Sequence, residues 1–326
     1  MDEFALIGRY FAGLCGSDDS IVVGIGDDCA QLRVLPGHDL VVSIDTLVEG
    51  THFLPGTHPE WLASRLLGAA VSDLAAMGAI PAWFTLALTL PEADEAWVGR
   101  FASQLGRSAR QFGITLVGGD TTRGPLTLSA QVHGWVPAGR GLHRRGAAVG
   151  DLVCVTGTLG DSRGGLECQL APEKGVNDSL LERFFAPQPR LDCGRRIAAH
   201  ASACIDISDG LLADLGHVLA ASEVGARIER RALPLSPALV SYCGETQARD
   251  WALCGGEDFE LCFTVPVSRW ETLQRDLAGG GVPVTRIGEI LPATEGLQLA
   301  DGGKPCPLPG TGYNHFASAD DRADKE

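Results

Sequence analysis

Six aspartates set the chemical problem. Asp28, Asp45, Asp73, Asp120, Asp206 and Asp209 each stand at or beside the end of a short apolar run, or on the helix-like segment that follows one. The runs are IVVGIGDD (21–28), LVVSIDT (40–46), ITLVGGD (114–120), CIDISDG (204–210) and WALCGGED (251–258). Asp73 lies inside the apolar stretch AAVSDLAAMG, where a lone buried carboxylate is costly without a cation. Asp27 and Asp28 are adjacent, so their charges repel unless solvent, an arginine or a metal ion offsets them. One such aspartate alone is usually salt-bridged. Several at strand ends, with few basic residues in the same motifs, point to a metal. Carboxylate oxygens suit a hard ion, and the contiguous D-x-[DN]-x-[DN]-G run of a calcium loop is absent. Acids gathered from separate strands fit Mg²⁺ that keeps waters and substrate phosphates among its ligands.

A phosphate substrate must also be held. The chain has three lysines, Lys174, Lys304 and Lys325, and none stands in a glycine-rich turn, which excludes a Walker loop. The dinucleotide pattern fails as well, because Cys29 occupies the place of its third glycine. The turns GIG, VGGD, ISDG and CGGED remain able to present backbone N–H groups to phosphate oxygens. Arg123, Arg144 and Arg145 are candidate side-chain clamps, with a surface ion pair as the plainer reading of each.

The elements that position these residues alternate. Helix-like segments at 59–78, 94–113 and 209–225 separate the apolar runs, and each closes with glycine, a common helix C-cap. That alternation implies an α/β or α+β fold. The Gly- and Arg-rich passage PAGRGLHRRGAAVGD (137–151) marks a boundary, giving domains at 1–140 and 141–316 and a disordered tail at 317–326. Residues 66–90 are long and apolar, but Asp73 and Pro81 interrupt them, so a buried helix followed by a buried strand is expected rather than a membrane span.

Composition narrows the function. Forty-one Asp and Glu against 26 Lys and Arg give a formal charge of −15, which argues against nucleic-acid and anionic-membrane partners. No two of the ten cysteines fall at C-x-x-C spacing, and the start MDEFALIGRYF is acidic where a signal peptide is basic. A cytoplasmic protein is expected.

Taken in order, GIGDDCA, SIDTLVEGTHF, AVSDLAAMGA, LVGGDTTRG, VTGTLGDS, IDISDGL and LCGGEDFEL strongly resemble the thiamine-monophosphate kinases, a family within the aminoimidazole ribonucleotide synthetase superfamily. The similarity runs from about residue 4 to Phe316. The resemblance implies a two-domain α+β fold, dimeric through N-terminal strands, with the site between the domains. It implies phosphoryl transfer from ATP to thiamine monophosphate, giving thiamine diphosphate and ADP, with several Mg²⁺ ions. Carried over, the metal ligands are Asp28, Ser43, Ile44, Asp45, Asp73, Asp120, Asp206 and Asp209, with Asp120 and Asp209 in catalytic roles. Ile44 stands where some relatives carry Thr, and a backbone carbonyl ligand there would lose nothing. Gly119, Asp120, Arg144 and Ser208 would contact the nucleotide. His52, Glu257 and Tyr313 would line the acceptor pocket, Glu257 facing the cationic thiazolium and Tyr313 stacking on it.

Two other readings stay open on the residues alone. One keeps the fold and makes the chain an ATP-dependent ligase or cyclase of the same superfamily. The other is a non-catalytic acidic metal-binding protein.

Overall fold

The computed structural model describes residues 3–16 and 18–309. Tyr313 and the expected disordered tail at 317–326 lie outside them. The chain runs α1 (Glu3–Tyr10), β1 (Ile21–Val23), β2 (Gln31–Leu32), β3 (His38–Val48), α2 (Pro59–Ala76), β4 (Ile80–Leu90), α3 (Glu95–Phe112), β5 (Thr115–Arg123) and β6 (Thr127–Pro137). Beyond the boundary passage come β7 (Leu152–Thr156), α4 (Asp161–Leu170), α5 (Asp178–Phe185), α6 (Leu191–Ile197), β8 (Ala203–Asp206), α7 (Leu211–Ser222) and β9 (Val224–Glu229). The remainder is α8 (Pro237–Cys243), α9 (Glu245–Cys254), β10 (Leu261–Val265), α10 (Val267–Leu277), β11 (Val284–Pro292), β12 (Leu297–Asp301) and β13 (Lys304–Cys306).

The first half is a four-stranded sheet ordered β3-β6-β4-β5, parallel only between β4 and β5, where α3 makes the crossover. Strand alternation sends Leu47, Leu86, Leu88, Leu128, Ala130 and Val132 to one face, where they pack with Leu62, Leu66 and Leu74 of α2 and Phe101 and Leu105 of α3. The Asp94 carboxylate caps α3 by accepting from the amides of Ala96 and Trp97, and Gly113 ends it at φ 67°. On the opposite face Leu40, Val42 and Ile44 of β3 are exposed. The short β1–β2 pair covers part of that face, with Ile21 and Leu32 against Trp83, Val117 and Trp135.

The second half is a seven-stranded sheet ordered β13-β12-β9-β11-β7-β10-β8. Every residue of β7 and β10 is buried, because both faces are covered and each strand is apolar throughout. Helix α7 and the end of α9 pack on one face; α6, α10 and the last turn of α2 pack on the other.

Two readings are corrected. WALCGGED does not enclose a strand: Trp251–Cys254 ends α9, 255–260 is irregular, and the strand begins at Leu261. Four apolar residues cannot by themselves separate a strand from a helix end. Helix α7 is capped by Glu223 at φ 56°, whereas Gly225 lies within β9.

Helix α2 joins the halves and is buried nearly all round. Its N-terminal Trp61 stacks on Phe185 of α5 with ring centroids 5.0 Å apart. A Cβ on Gly68 would come within 2.7 Å of the Pro187 carbonyl, and one on Gly194 of α6 would strike the carbonyl of Ala75. Gly194→Val is therefore expected to destabilise the fold by ~1–3 kcal/mol through overpacking. A chemical-denaturation midpoint equal to that of the parent chain would show that this helix contact yields without cost.

Candidate active site

Two cavities flank α2 where the halves meet. The larger, about 690 Å³, is lined by Asp45, His52 and Arg65 from the first half and by Ser162, Asp209 and Glu257 from the second. The smaller, about 180 Å³, lies among Ser43, Asp73, Arg144 and Asp206. Its residues come from β3, α2, the boundary passage and the end of β8, so neither half can form it alone.

Ser43 and Asp45 point to the α2 side of the sheet, because they are in register with Val132 and Ala130, both core residues. The Ser43 hydroxyl donates to the Asp73 carboxylate. Burial pushes Asp45 up to about 7, and the charges of Asp73 and Glu257 add to the effect. Burial also raises Asp73, against the opposing influence of the Ser43 hydrogen bond and the Arg144 guanidinium. Asp206, at the end of β8, is driven well above the usual carboxylate range by burial and then by the charge of Asp73. Asp45, Asp73 and Asp206 thus feel one another as like charges in a poorly solvated place.

That oxygen-rich donor set has the chemistry of a hard-cation site. The cage is open, however: among the described residues no three His, Cys, Asp or Glu side chains converge as a metal-binding group. A cation there would have to draw its remaining ligands from solvent or substrate.

The turn after β8 corrects an expectation. The amides of Ser208, Asp209 and Gly210 donate to the Asp214 carboxylate at 2.9, 3.0 and 3.1 Å. These N–H groups are engaged inside the protein, so ISDG does not present them to phosphate. Burial lifts Asp214 to about 7 despite these bonds. Its signal was the D-G-L-L-A-D spacing, which returns a carboxylate to the turn one helical turn later.

The acids of GGEDFE divide three ways. Asp258 is buried and accepts from the amides of Gly160 and Ser162 at the start of α4, at 2.7 and 3.2 Å. Glu260 is buried among Thr156, Arg183 and Arg190. Only Glu257 reaches the larger cavity. Its φ of 58° and that of Phe259, 50°, are left-handed conformations that cost on the order of 1–3 kcal/mol each for residues other than glycine. Amide bonds from Glu257 to the Ser208 carbonyl, 2.7 Å, and from Phe259 to that of Ile207, 2.9 Å, tie this loop to the β8 turn.

His52 also lines the cavity. The Val48 amide donates to its Nδ1 at 3.1 Å, which places the ring proton on Nε2. Arg65 was not anticipated. It sits on α2, 2% exposed, and donates to the His52 carbonyl at 2.6 Å and to the Glu257 carboxylate. A lone arginine in the apolar helix PEWLASRLLGAA was the available signal. Glu257 thus reaches the cavity as the partner of a buried arginine.

The remaining candidates stand apart. Asp28 is exposed on the loop between β1 and β2, and its amide donates to the Asp27 carboxylate at 2.8 Å, so Asp27 holds the loop. Asp120 is exposed on β5 in register with Ala87 and, through it, Ser129, which puts it on the sheet face opposite Asp45. Gly119 is required by β4, because a Cβ there would collide with the Leu86 carbonyl. Ile44 points to the open face, leaving its backbone on edge strand β3. Arg123 donates to the Pro91 carbonyl at 3.3 Å, and Arg145 is exposed. Ser208 is the exception: half-buried beside Asp209, it lines the larger cavity. Tyr313 is beyond the described residues.

Comparison with known proteins adds to this geometry. Residues 26–136 match the family model for the N-terminal domain of AIR synthase related protein, and residues 148–298 match that for its C-terminal domain. Thiamine-monophosphate kinase of Escherichia coli strain K12 is 48% identical over 321 residues, covering 97% of this chain and 98% of that one. The crystal structure of thiamine-monophosphate kinase from Stenotrophomonas maltophilia superposes with a TM-score of 0.84 at 43% identity, covering 94% of this chain and 98% of that one. AaThiL complexed with AMPPCP and TMP gives a TM-score of 0.76 at 33% identity, over 87% of this chain and 89% of that one.

The raised Asp45 carries a pH signature. It titrates near 7 in the fold and near 4 when unfolded, so the native state holds its proton more tightly and stability falls as pH rises between those values. In EDTA, Asp45→Asn removes this loss. Its melting temperature relative to wild type is expected to rise by several degrees from about pH 5 to about pH 8. A flat difference would mean that Asp45 is solvated in the folded chain.

Proposed function

The chain belongs to the thiamine-monophosphate kinase family of the AIR synthase related proteins, and on that premise we propose that it transfers the γ-phosphoryl group of ATP to thiamine monophosphate, giving thiamine diphosphate and ADP. The observation that carries the reading is the group of mutually repelling carboxylates, half-buried Asp45 and Asp73 and buried Asp206, beside a 690 Å³ cleft built from both halves.

A phosphate monoester has its second pKa at about 6, so the acceptor arrives as an anion and needs no general base. The cleft matches that requirement. His52 lines it, its ring oriented by the Val48 amide, which donates to Nδ1. The remaining problem is to bring two polyanions into line. We assign Mg²⁺ to Asp45, Asp73 and Asp206, with Ser43 orienting Asp73 and Asp209 adjoining from the β8 turn. Bound Mg²⁺ would supply positive charge to both phosphate groups and to the leaving oxygens of ADP. Asp28, Asp120 and the Ile44 carbonyl are assigned to further ions that accompany the nucleotide, because they lie away from the inner group. Arg144 beside Asp73 supports a nucleotide contact there; Gly119 and Ser208 keep their proposed nucleotide contacts. Asp120 and Asp209 keep their proposed catalytic roles, and Tyr313 its place in the acceptor pocket.

Three further assignments complete the reading. Exposed Leu40, Val42 and Ile44 on the open face of the first sheet support a homodimer through that face. No disulfide joins the ten cysteines, which supports a reducing, cytoplasmic setting. Among the described residues no helix is long and apolar enough to cross a membrane. The domain boundary is placed in the irregular passage between β6 and β7.

Purified protein incubated with ATP, MgCl₂ and thiamine monophosphate is expected to yield thiamine diphosphate and ADP in equal amounts, with none of either in EDTA. ADP without thiamine diphosphate would overturn the reading. Asp73→Asn and Asp209→Asn are each expected to lower turnover by ~10²-fold or more with the fold retained by circular dichroism. Full activity in either variant would remove that residue from the mechanism.

A further inference from the structure

Arg65 has more partners than a core ion pair needs. Its guanidinium carbon lies 3.9 Å from the centroid of the Phe184 ring, its Nη1 donates to the His52 carbonyl at 2.6 Å, and its Nη2 donates to the Glu257 carboxylate. These partners come from α5, the segment after β3 and the loop after α9. Both cavity-lining partners belong to surroundings that could otherwise move. His52 follows an edge strand within an irregular segment, and Glu257 is held in a left-handed conformation. Arg65 is buried, and its Nε finds no acceptor among the described residues. Its placement therefore serves the two loops rather than the full solvation of the arginine itself.

We propose that Arg65 is a positioning residue for the acceptor, fixing the separation and orientation of the His52 segment and the Glu257 loop across the larger cavity. The inference rests on the kinase reading and deepens it. The site would take a small acceptor bearing both an anionic phosphate and an apolar or cationic ring. The His52 segment would form one wall, and the Arg65–Glu257 pair and Phe259 the opposite one. The Arg144 nucleotide contact lies apart from this wall, at the smaller cavity. Loss of Arg65 should consequently be felt by one substrate and not by the other. Lysine cannot reproduce the arrangement, because only the planar guanidinium can stack on Phe184 while two of its nitrogens bond in different directions.

The test is steady-state kinetics of Arg65→Gln and Arg65→Lys with each substrate varied in turn, alongside melting temperatures. Arg65→Gln is expected to raise KM for thiamine monophosphate by ~10-fold or more, with KM for ATP moving by less than ~3-fold. Arg65→Lys, which keeps the charge facing Glu257, should recover part of that loss. Adding Glu257→Gln to Arg65→Gln should cost little more, since the two side chains act as one unit. Should Arg65→Gln fail to fold, Phe184→Leu removes the stacked ring and is expected to shift KM in the same selective way. Equal shifts in both KM values, or none, would overturn the inference while wild-type turnover upholds the kinase. A wild-type enzyme that forms no thiamine diphosphate would overturn both.

Discussion

The structure depends on a single helix having no solvent face. Helix α2 lies against the first sheet through Leu62, Leu66 and Leu74, and against the second half through Trp61, Arg65, Gly68 and Ala75. These sets follow the helical repeat, so two stripes on one helix fix two domains at once. Large side chains at one end and glycine close to Pro187 set how closely the halves approach. Both cavities lie along this helix, and Arg65 and Asp73, eight residues apart by their numbering, deliver an opposite charge to each. A rigid, buried helix can hold charged groups in place better than a loop, because its rotamers and backbone are already determined by packing.

That arrangement imposes an electrostatic cost. Arg144 acts on Asp73, but Asp45, Asp73 and Asp206 still raise one another or suffer burial together. A purely structural ion-pair network is built differently, as the same chain shows a short distance away. Glu260, fully buried, is matched by Arg183 and Arg190 and by the Thr156 hydroxyl. Asp258 accepts from two backbone amides at the start of α4, although burial still pushes it up to about 7. Where this protein only needs to bury a carboxylate, it provides donors. Around the smaller cavity it leaves a shortfall of positive charge, which is the condition for binding a cation together with its anionic ligands.

The sequence made the fold class and the main helices legible because their signals are local. Pro59 and Asp94 start α2 and α3, Gly113 ends α3, and the apolar runs of β4 and β7 are too dense for surface strands. The aspartates were legible too, since an ionised residue in an apolar context is anomalous wherever the fold places it. What remained hidden was relational. Nothing local says that Asp45 and Asp120 occupy opposite faces of one sheet, because their sheet neighbours are set by pairing across β6 and β4. Nor does a turn rich in glycine reveal whether its amides are free. ISDG reads as a phosphate cradle until Asp214 is found beneath it. Arg65 was hidden for the same reason, its partners lying far away in sequence.

The loop 255–260 shows how one short motif can serve several ends. An extended backbone alone would put Asp258 and Glu260 on one side and Glu257 on the other, which divides core from cleft but does not give the two inward acids separate destinations. Left-handed residues at 257 and 259 turn the chain between them, and Asp258 goes to the start of α4, Glu260 to the paired arginines and Glu257 to the cleft. The anchored acids hold the strained backbone, and the strain aims the remaining one. Replacing this loop by an unstrained turn would keep its charges and lose their directions. Here the conformation of the loop, more than its composition, connects the core of the second half to the chemistry in the cleft.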